Sequence, residues 1–210
     1  MNHILLRIIY SIDFEIERVS ETLKRFEWYK THGYSVKLPK SLDLSDHEKI
    51  SREDIEKAVR EEYDEKKYLE SKEYLENNWG KVSSKLIKGG ETLLFPFQEQ
   101  YDVCFTMYGV GGSYRLPNKI IVNIQSKFEF GLLRTIVHEI IHLLIGDAIS
   151  RHKVEHWAKE RIVDLLISRV IPEMSKIQQV PIDTRAVDEI FKNNYPDINL
   201  VVKLVSEKEQ

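Results

Sequence analysis

The 210-residue chain carries 31 Lys and Arg against 34 Asp and Glu, for a formal net charge of −3. It is long enough to bury a sizeable core, and its balanced charge argues against a nucleic-acid partner. Cys104 is the only cysteine, which excludes an intramolecular disulfide. Since no signal peptide and no run of about 18 apolar residues is seen, we expect a soluble, cytoplasmic protein without a membrane span.

The N-terminal region begins with a short apolar segment, residues 4–10, that fits either a strand or the first turns of a helix. Apolar residues then recur at helical spacing between residues 14 and 32, where Gly33 is placed to end the helix. A short extended stretch, residues 34–38, is stopped by Pro39.

A charged region rich in Glu, Lys and Tyr follows between residues 46 and 88. Ser51 and Asp54 have the spacing of a capping box, which indicates a helix start, and a second helix is predicted up to Gly89. We interpret the region as a solvated helical pair that covers the core. A partner-binding or substrate-gating arm is the alternative.

Two strands are predicted next, over residues 101–108 and 119–124, because both segments are rich in β-branched and aromatic residues. The glycines between them lie far from any helix start, so we interpret them as turn residues and not as a phosphate-binding loop. Cys104 falls in the first strand, where a buried thiol is usually inert packing.

Three helical segments complete the chain. Residues 130–146 are apolar almost all round, which predicts a central, buried helix. Residues 153–170 have a broad apolar face and end before Pro172. Residues 181–210 predict a smaller helical tail.

The buried helix contains His138-Glu139-Ile140-Ile141-His142, an H-E-x-x-H pattern. Two histidines four residues apart lie one turn apart on the same helix face, so both imidazoles can reach one metal ion. Glu139 lies about 100° further round the helix and can take a proton from a metal-bound water. A metal and its water would satisfy all three polar groups in an otherwise apolar helix. We therefore predict His138 and His142 as metal ligands and Glu139 as the general base.

A catalytic zinc usually takes three protein ligands and keeps its fourth position for water, so the next helix should supply one more. We predict Glu160, 18 residues after His142, as that ligand. Asp164, one turn further along, would accept a hydrogen bond from a ligand histidine. His156, one turn before Glu160, is the alternative third ligand.

The H-E-x-x-H pattern followed by Glu160-x-x-x-Asp164 resembles the zincin metallopeptidases of the gluzincin type. The resemblance covers residues 100 to 170, and it implies a zinc ion held by His138, His142 and Glu160. The metzincin pattern fails, since Ile145 and Ala148 stand where Gly and His are required. The SprT-like proteases, which use a later third histidine, are kept as the less favoured relative because of His156.

The resemblance also implies an α+β, zincin-like fold. In it a small, mostly antiparallel sheet packs on the central H-E-x-x-H helix and on a second, ligand-bearing helix. Outside the resemblance, the sequence patterns predict a mainly helical region over residues 1–90 and a helical tail over residues 173–210, on either side of a catalytic core at residues 91–172. Residues 119–124 look like the edge strand on which such peptidases lay out their substrate.

Three functions fit these residues. We favour a zinc metallopeptidase with a peptide or protein substrate. A regulatory zincin-domain protein acting on a single partner is the alternative, and a non-catalytic metal-binding module is the third. Retention of Glu139 argues against the third, because a structural site does not need a general base. The oxyanion donor is left open among Tyr108, Tyr114, Arg115 and His152.

Overall fold

A computed structural model describes residues 3–93, 96–125 and 131–209. Within these ranges the chain forms four strands and eight α-helices, with short 3-10 turns between some of them. In chain order they are β1 (Leu5–Ile9), α1 (Ile12–Lys24), α2 (Phe26–Thr31), α3 (Arg52–Glu62), α4 (Glu65–Gly90), β2 (Gln100–Thr106), β3 (Gly112–Arg115), β4 (Lys119–Asn123), α5 (Gly131–His152), α6 (His156–Val170), α7 (Arg185–Asn194) and α8 (Ile198–Glu209). The predicted start of the buried helix at Phe130 lies outside the described residues.

The four strands form one mixed sheet in the order β1-β2-β4-β3. β2 pairs in parallel with both β1 and β4, and only β3 and β4 are antiparallel. The α+β class is therefore confirmed, but the prediction of a mostly antiparallel sheet is wrong. It followed from the resemblance to zincins, whereas in this chain the long helical crossover after β1 and the insertion of β3 before β4 allow parallel pairs.

β4 is an interior strand, flanked by β2 and β3. The prediction that residues 119–124 form the substrate-binding edge is therefore wrong. The free edge on that side belongs to β3, a four-residue strand that the sequence pattern did not separate from the turn around it. The isolated segment at residues 4–10 is the opposite edge strand, β1.

The main hydrophobic core lies between the sheet and helices α4, α5, α6 and α8. Helix α4 is one helix of 26 residues, and the face it buries in this core includes Tyr68, Leu75 and Leu86. A smaller cluster joins α1, α3 and Tyr108. The N-terminal helices thus cover the core, as we interpreted them, and β1 joins the same sheet as residues 100–123.

Helix starts follow local capping chemistry where the sequence offers it. Ser51 accepts a hydrogen bond from the Asp54 backbone while the Asp54 side chain accepts one in return, so the predicted capping box is confirmed. Ser11 caps α1 in the same way through the Phe14 backbone N–H. The single helix predicted between residues 14 and 32 is broken at Arg25, which separates α1 from α2.

Helix α5 is the centre of the fold, since it contacts α4, α6, α8, β3 and β4. Fourteen of its 22 residues are buried, as its apolar sequence predicts. Within the described ranges, no helix is both long and apolar enough to span a membrane.

Two glycines of α4 test how closely this helix packs against α6. A Cβ on Gly89 would lie 2.3 Å from the backbone oxygen of Val170 in α6, whereas nothing lies within 4 Å of a Cβ on Gly80. We expect Gly89→Ala to lower the free energy of unfolding by about 1–3 kcal/mol, because backbone cannot yield as a side chain can. Gly80→Ala should raise it by about 0.5–1 kcal/mol through helix propensity. Urea unfolding measures both, and a neutral Gly89→Ala would contradict the contact between α4 and α6.

Candidate metal centre

Helices α5 and α6 bring three donor atoms together. Nε2 of His138 lies 3.0 Å from Nε2 of His142 and 3.0 Å from Oε2 of Glu160, and Nε2 of His142 lies 3.3 Å from the same oxygen. All three side chains are buried, between 2% and 7% exposed. Among the described residues this is the one group of three or more such side chains with the spacing of a metal site.

The triangle has the size that zinc requires. Ligand bonds of about 2.0–2.1 Å in a tetrahedron place the donor atoms about 3.3 Å apart. Each neutral imidazole carries one ring N–H, so at most two of the three contacts between the donor atoms can be hydrogen bonds. At least one contact therefore brings two lone pairs together. A cation bonded to all three atoms removes that repulsion. The donor set of two imidazoles and one carboxylate therefore fits zinc with a fourth position left for water.

His156, the alternative third ligand, lines the same cleft but lies outside the group of three donor atoms. Its Nε2 is 2.5 Å from the hydroxyl of Tyr34, and it is not part of the triangle. Glu160 instead turns Oε2 toward the histidines and Oε1 toward Nζ of Lys159, 3.2 Å away. The lysine thus leaves one carboxylate oxygen for the metal position.

An ion pair one turn from the donor atoms fixes the two helices. Arg134 is four residues before His138, Asp164 is four residues after Glu160, and a guanidinium nitrogen of Arg134 lies 3.0 Å from Oδ1 of Asp164. The same Asp164 oxygen is 3.8 Å from Nδ1 of His138, which is too long for a hydrogen bond. The predicted bond from Asp164 to a ligand histidine is therefore wrong, and Asp164 accepts from Arg134 and from the Gln178 backbone instead.

Glu139 lies beside the triangle against the edge strand. A Cβ on Gly112, the first residue of β3, would lie 2.4 Å from Oε1 of Glu139 and 2.5 Å from Cγ2 of Thr135. We interpreted Gly112 as a turn residue, but its lack of a side chain is what lets the Glu139 carboxylate approach the strand.

Electrostatics set the ionisation of these groups. Burial raises the pKa of Glu139 to about 7, so its carboxyl group is poised to exchange a proton near neutral pH. Burial lowers the pKa of His142 to about 4, which keeps its imidazole neutral and able to ligate. Burial alone would raise the pKa of Glu160, but the two imidazoles hold it well below its usual range.

A cleft of about 520 Å³ opens over the three donor atoms. Its lining combines the loop before β3 and the strand itself, from Val110 to Tyr114, with residues of α2 and of the start of α6. The ring of Tyr114 stacks on His142, with centroids 4.9 Å apart. The cleft therefore combines residues between 25 and 34, in the N-terminal part of the chain, with residues between 110 and 178.

Of the four predicted oxyanion donors, only Tyr114 lines the cleft. Tyr108 is hydrogen-bonded to Glu62 in the smaller apolar cluster, and Arg115 is ion-paired with Glu21. His152 lies at the end of α5, away from the donor atoms. These three candidates for the oxyanion donor therefore lie outside the cleft lining, and sequence proximity to the motif was not enough to place them in it.

Several cleft residues were not found from the sequence. Arg134 could have been, since it lies one turn from His138 just as Asp164 lies one turn from Glu160. Lys159 is adjacent to Glu160, but adjacency in sequence did not show that its amine contacts the carboxylate. Tyr34 and Trp28 carry no local signal, since they are more than 100 residues away from the motif.

Comparisons with protein-family models, curated proteins and solved structures found no match to this chain. The chemistry of the site is therefore the basis for assigning a function.

Two single substitutions test the ligand set. Glu160→Ala should weaken zinc binding by at least about 100-fold, because it removes a coordinating oxygen. His156→Ala, one turn away on the same helix, should keep one zinc per chain. Elemental analysis after dialysis and zinc titration by calorimetry measure both, with circular dichroism as the check on folding. Loss of zinc only in His156→Ala would contradict the assignment of Glu160.

Proposed function

We propose that the protein is a zinc-dependent metallopeptidase, similar in its site to the gluzincin branch of the zincins. The observation that carries this proposal is the position of Glu139. It lies next to three converging donor atoms, at the floor of a cleft that borders a free sheet edge. A purely structural zinc site would have four protein ligands and would not need a general base beside it.

In the proposed mechanism His138, His142 and Glu160 hold the zinc. Bound there, zinc would lower the pKa of a coordinated water and polarise the scissile carbonyl. Glu139 takes the proton from the attacking water and passes it to the leaving amine.

The free edge of β3 is the proposed substrate platform. Among the residues that the structure describes, β3 pairs with β4 on one side only, and Gly112 to Tyr114 line the cleft. An extended peptide can add to such an edge through backbone hydrogen bonds, which gives affinity with little dependence on sequence. This places a peptide backbone across the cleft beside Glu139.

Tyr34 is the proposed oxyanion donor. Its hydroxyl lies in the cleft wall and is fixed by His156. When Nε2 of His156 carries the ring proton it donates to the Tyr34 oxygen, which leaves the hydroxyl proton for the substrate. The pKa of Tyr34 is raised, chiefly by burial and also by the charges of Glu160 and Glu139, so the hydroxyl stays protonated.

The general-base role is tested by Glu139→Gln. This variant should keep one zinc per chain and lose about 10²–10⁴-fold in kcat/KM on casein or a fluorogenic peptide, because no carboxylate remains to accept the proton. Glu73→Gln, an exposed site on α4, is the matched control and should retain activity. Undiminished hydrolysis by Glu139→Gln would refute the mechanism. Stoichiometric zinc in the unmutated protein without hydrolysis of any general substrate would favour a partner-specific regulatory protein.

The contact between β3 and the base is tested by Gly112→Ala. The added methyl group should displace the Glu139 carboxylate and lower kcat by at least about tenfold while zinc stays bound, since small misplacements of a catalytic group are costly. Gly111→Ala, where nothing lies within 4 Å of a Cβ, should have a much smaller effect. Equal losses in the two variants would mean that Glu139 does not depend on this contact.

The oxyanion role is tested by Tyr34→Phe. We expect kcat to fall about 10²–10³-fold with little change in KM and in zinc content, because the hydroxyl acts on charge that develops in the transition state. Tyr114→Phe is measured beside it. If Tyr114→Phe carried the loss instead, the donor would be Tyr114.

A further inference from the structure

An exposed tryptophan borders the proposed catalytic cleft. Trp28, on α2, is 44% exposed, and it lines the same cleft as His138 and Glu160. Tryptophan has a large apolar side chain, so leaving it exposed forgoes much of the stabilisation that burial would give. Large exposed aromatic rings in a concave site commonly mark ligand contacts.

Trp28 belongs to a fixed array of rings, which we call the aromatic wall: Trp28, His32, Tyr34, His156 and Trp157. The imidazole of His32 stacks on Trp28 with centroids 4.1 Å apart, and Tyr34 lies nearly parallel to Trp28 at 5.9 Å. Tyr34 stacks in turn on Trp157 at 5.6 Å, and His156 meets Trp28 edge-on at 5.6 Å. Because each ring touches other rings of the array, the wall is preorganised and a ligand need not order it.

The charges around the wall disfavour a cationic ligand. Arg25, which directly precedes α2, lines the cleft. Within the described part of the chain it forms no ion pair, so its charge is not neutralised there. Lys159 and Arg134 also line the cleft, although each has a carboxylate partner. Glu139 and Glu160 line the same cleft, so its charges are mixed, and the unpaired charge of Arg25 is what disfavours a lysine or arginine side chain at this surface. A neutral ring can stack on the wall or meet its edges.

We propose that the aromatic wall is a specificity subsite that takes an aromatic side chain of the substrate peptide. The identification of the ligand as a peptide rests on the proposed function, and the subsite gives that function its substrate class. A peptide laid along β3 would have its backbone at the strand and could place a side chain against Trp28, Tyr34 and His156, the members of the aromatic wall that line the same cleft. An aliphatic side chain of similar size would bury apolar surface there but would lack the ring-to-ring geometry.

The test measures peptide binding without requiring cleavage. Zinc-supplied protein carrying Glu139→Gln is titrated by calorimetry with acetyl-Ala-X-Ala-amide, in which X is Phe, Leu or Ala. We expect the Phe peptide to bind at least about tenfold more tightly than the Ala peptide and several-fold more tightly than the Leu peptide. Adding Trp28→Ala should reduce the Phe-to-Ala ratio to threefold or less, and Trp28→Phe should restore most of it. Leu69→Ala, which removes a side chain 50% exposed on α4, is the control and should leave the ratio unchanged.

Three outcomes would overturn the subsite: equal binding of the Phe and Leu peptides, a Phe preference that survives Trp28→Ala, or no binding of any peptide. The result is independent of the proposed activity. Trp28-dependent binding of the Phe peptide, together with failure of the unmutated protein to hydrolyse any peptide, would retain the subsite and refute the peptidase. Hydrolysis without a Phe preference would do the reverse.

Discussion

The architecture depends on the convergence of two imidazoles and one carboxylate between α5 and α6. Each of the three side chains is at least nine-tenths buried, and burying such groups without partners is strongly unfavourable. Their donor atoms meet within 3.3 Å, where a divalent cation would satisfy them together. The two helices must therefore keep a fixed separation and rotation, and the packing around them serves that requirement.

Several contacts enforce this geometry from outside the triangle. The Arg134–Asp164 pair joins the helices one turn away, and Asp164 is only 2% exposed, so its charge requires the partner that Arg134 supplies. Nζ of Lys159 contacts Oε1 of Glu160, the carboxylate oxygen that does not face the histidines. On the other side of the cleft, Gly112 allows the edge strand to approach Glu139. The same approach brings a free strand edge to the side of the proposed base.

The sequence predicted the local part of this site well. The H-E-x-x-H residues could be placed because helical spacing fixes which side chains share a face, and the near absence of polar residues around them indicated burial. Glu160 was chosen from the need for a third ligand on the next helix, where His156 was the alternative. The capping box at Ser51 was predicted for the same reason, since it depends on a few neighbouring residues. Strand pairing depends on distant segments, so the parallel pairs of β2 and the true edge strand β3 were not predicted.

The rest of the cleft could not be predicted because it is assembled over long sequence distances. The hydroxyl of Tyr34 meets His156 across 122 residues, and no periodicity or motif in either segment points to the other. Tyr108 and Arg115 were candidates for the oxyanion donor because they lie near the motif in sequence. In the structure their side chains contact Glu62 and Glu21 instead. Burial of the Cys104 thiol, which depends on its strand alone, was predicted and is observed.

The most direct test of the central claim is zinc K-edge X-ray absorption of the zinc-loaded protein. We expect four nitrogen or oxygen neighbours at about 2.0–2.1 Å, two of them with the multiple scattering of imidazole rings. A spectrum with three imidazoles, or with only one, would contradict this ligand set.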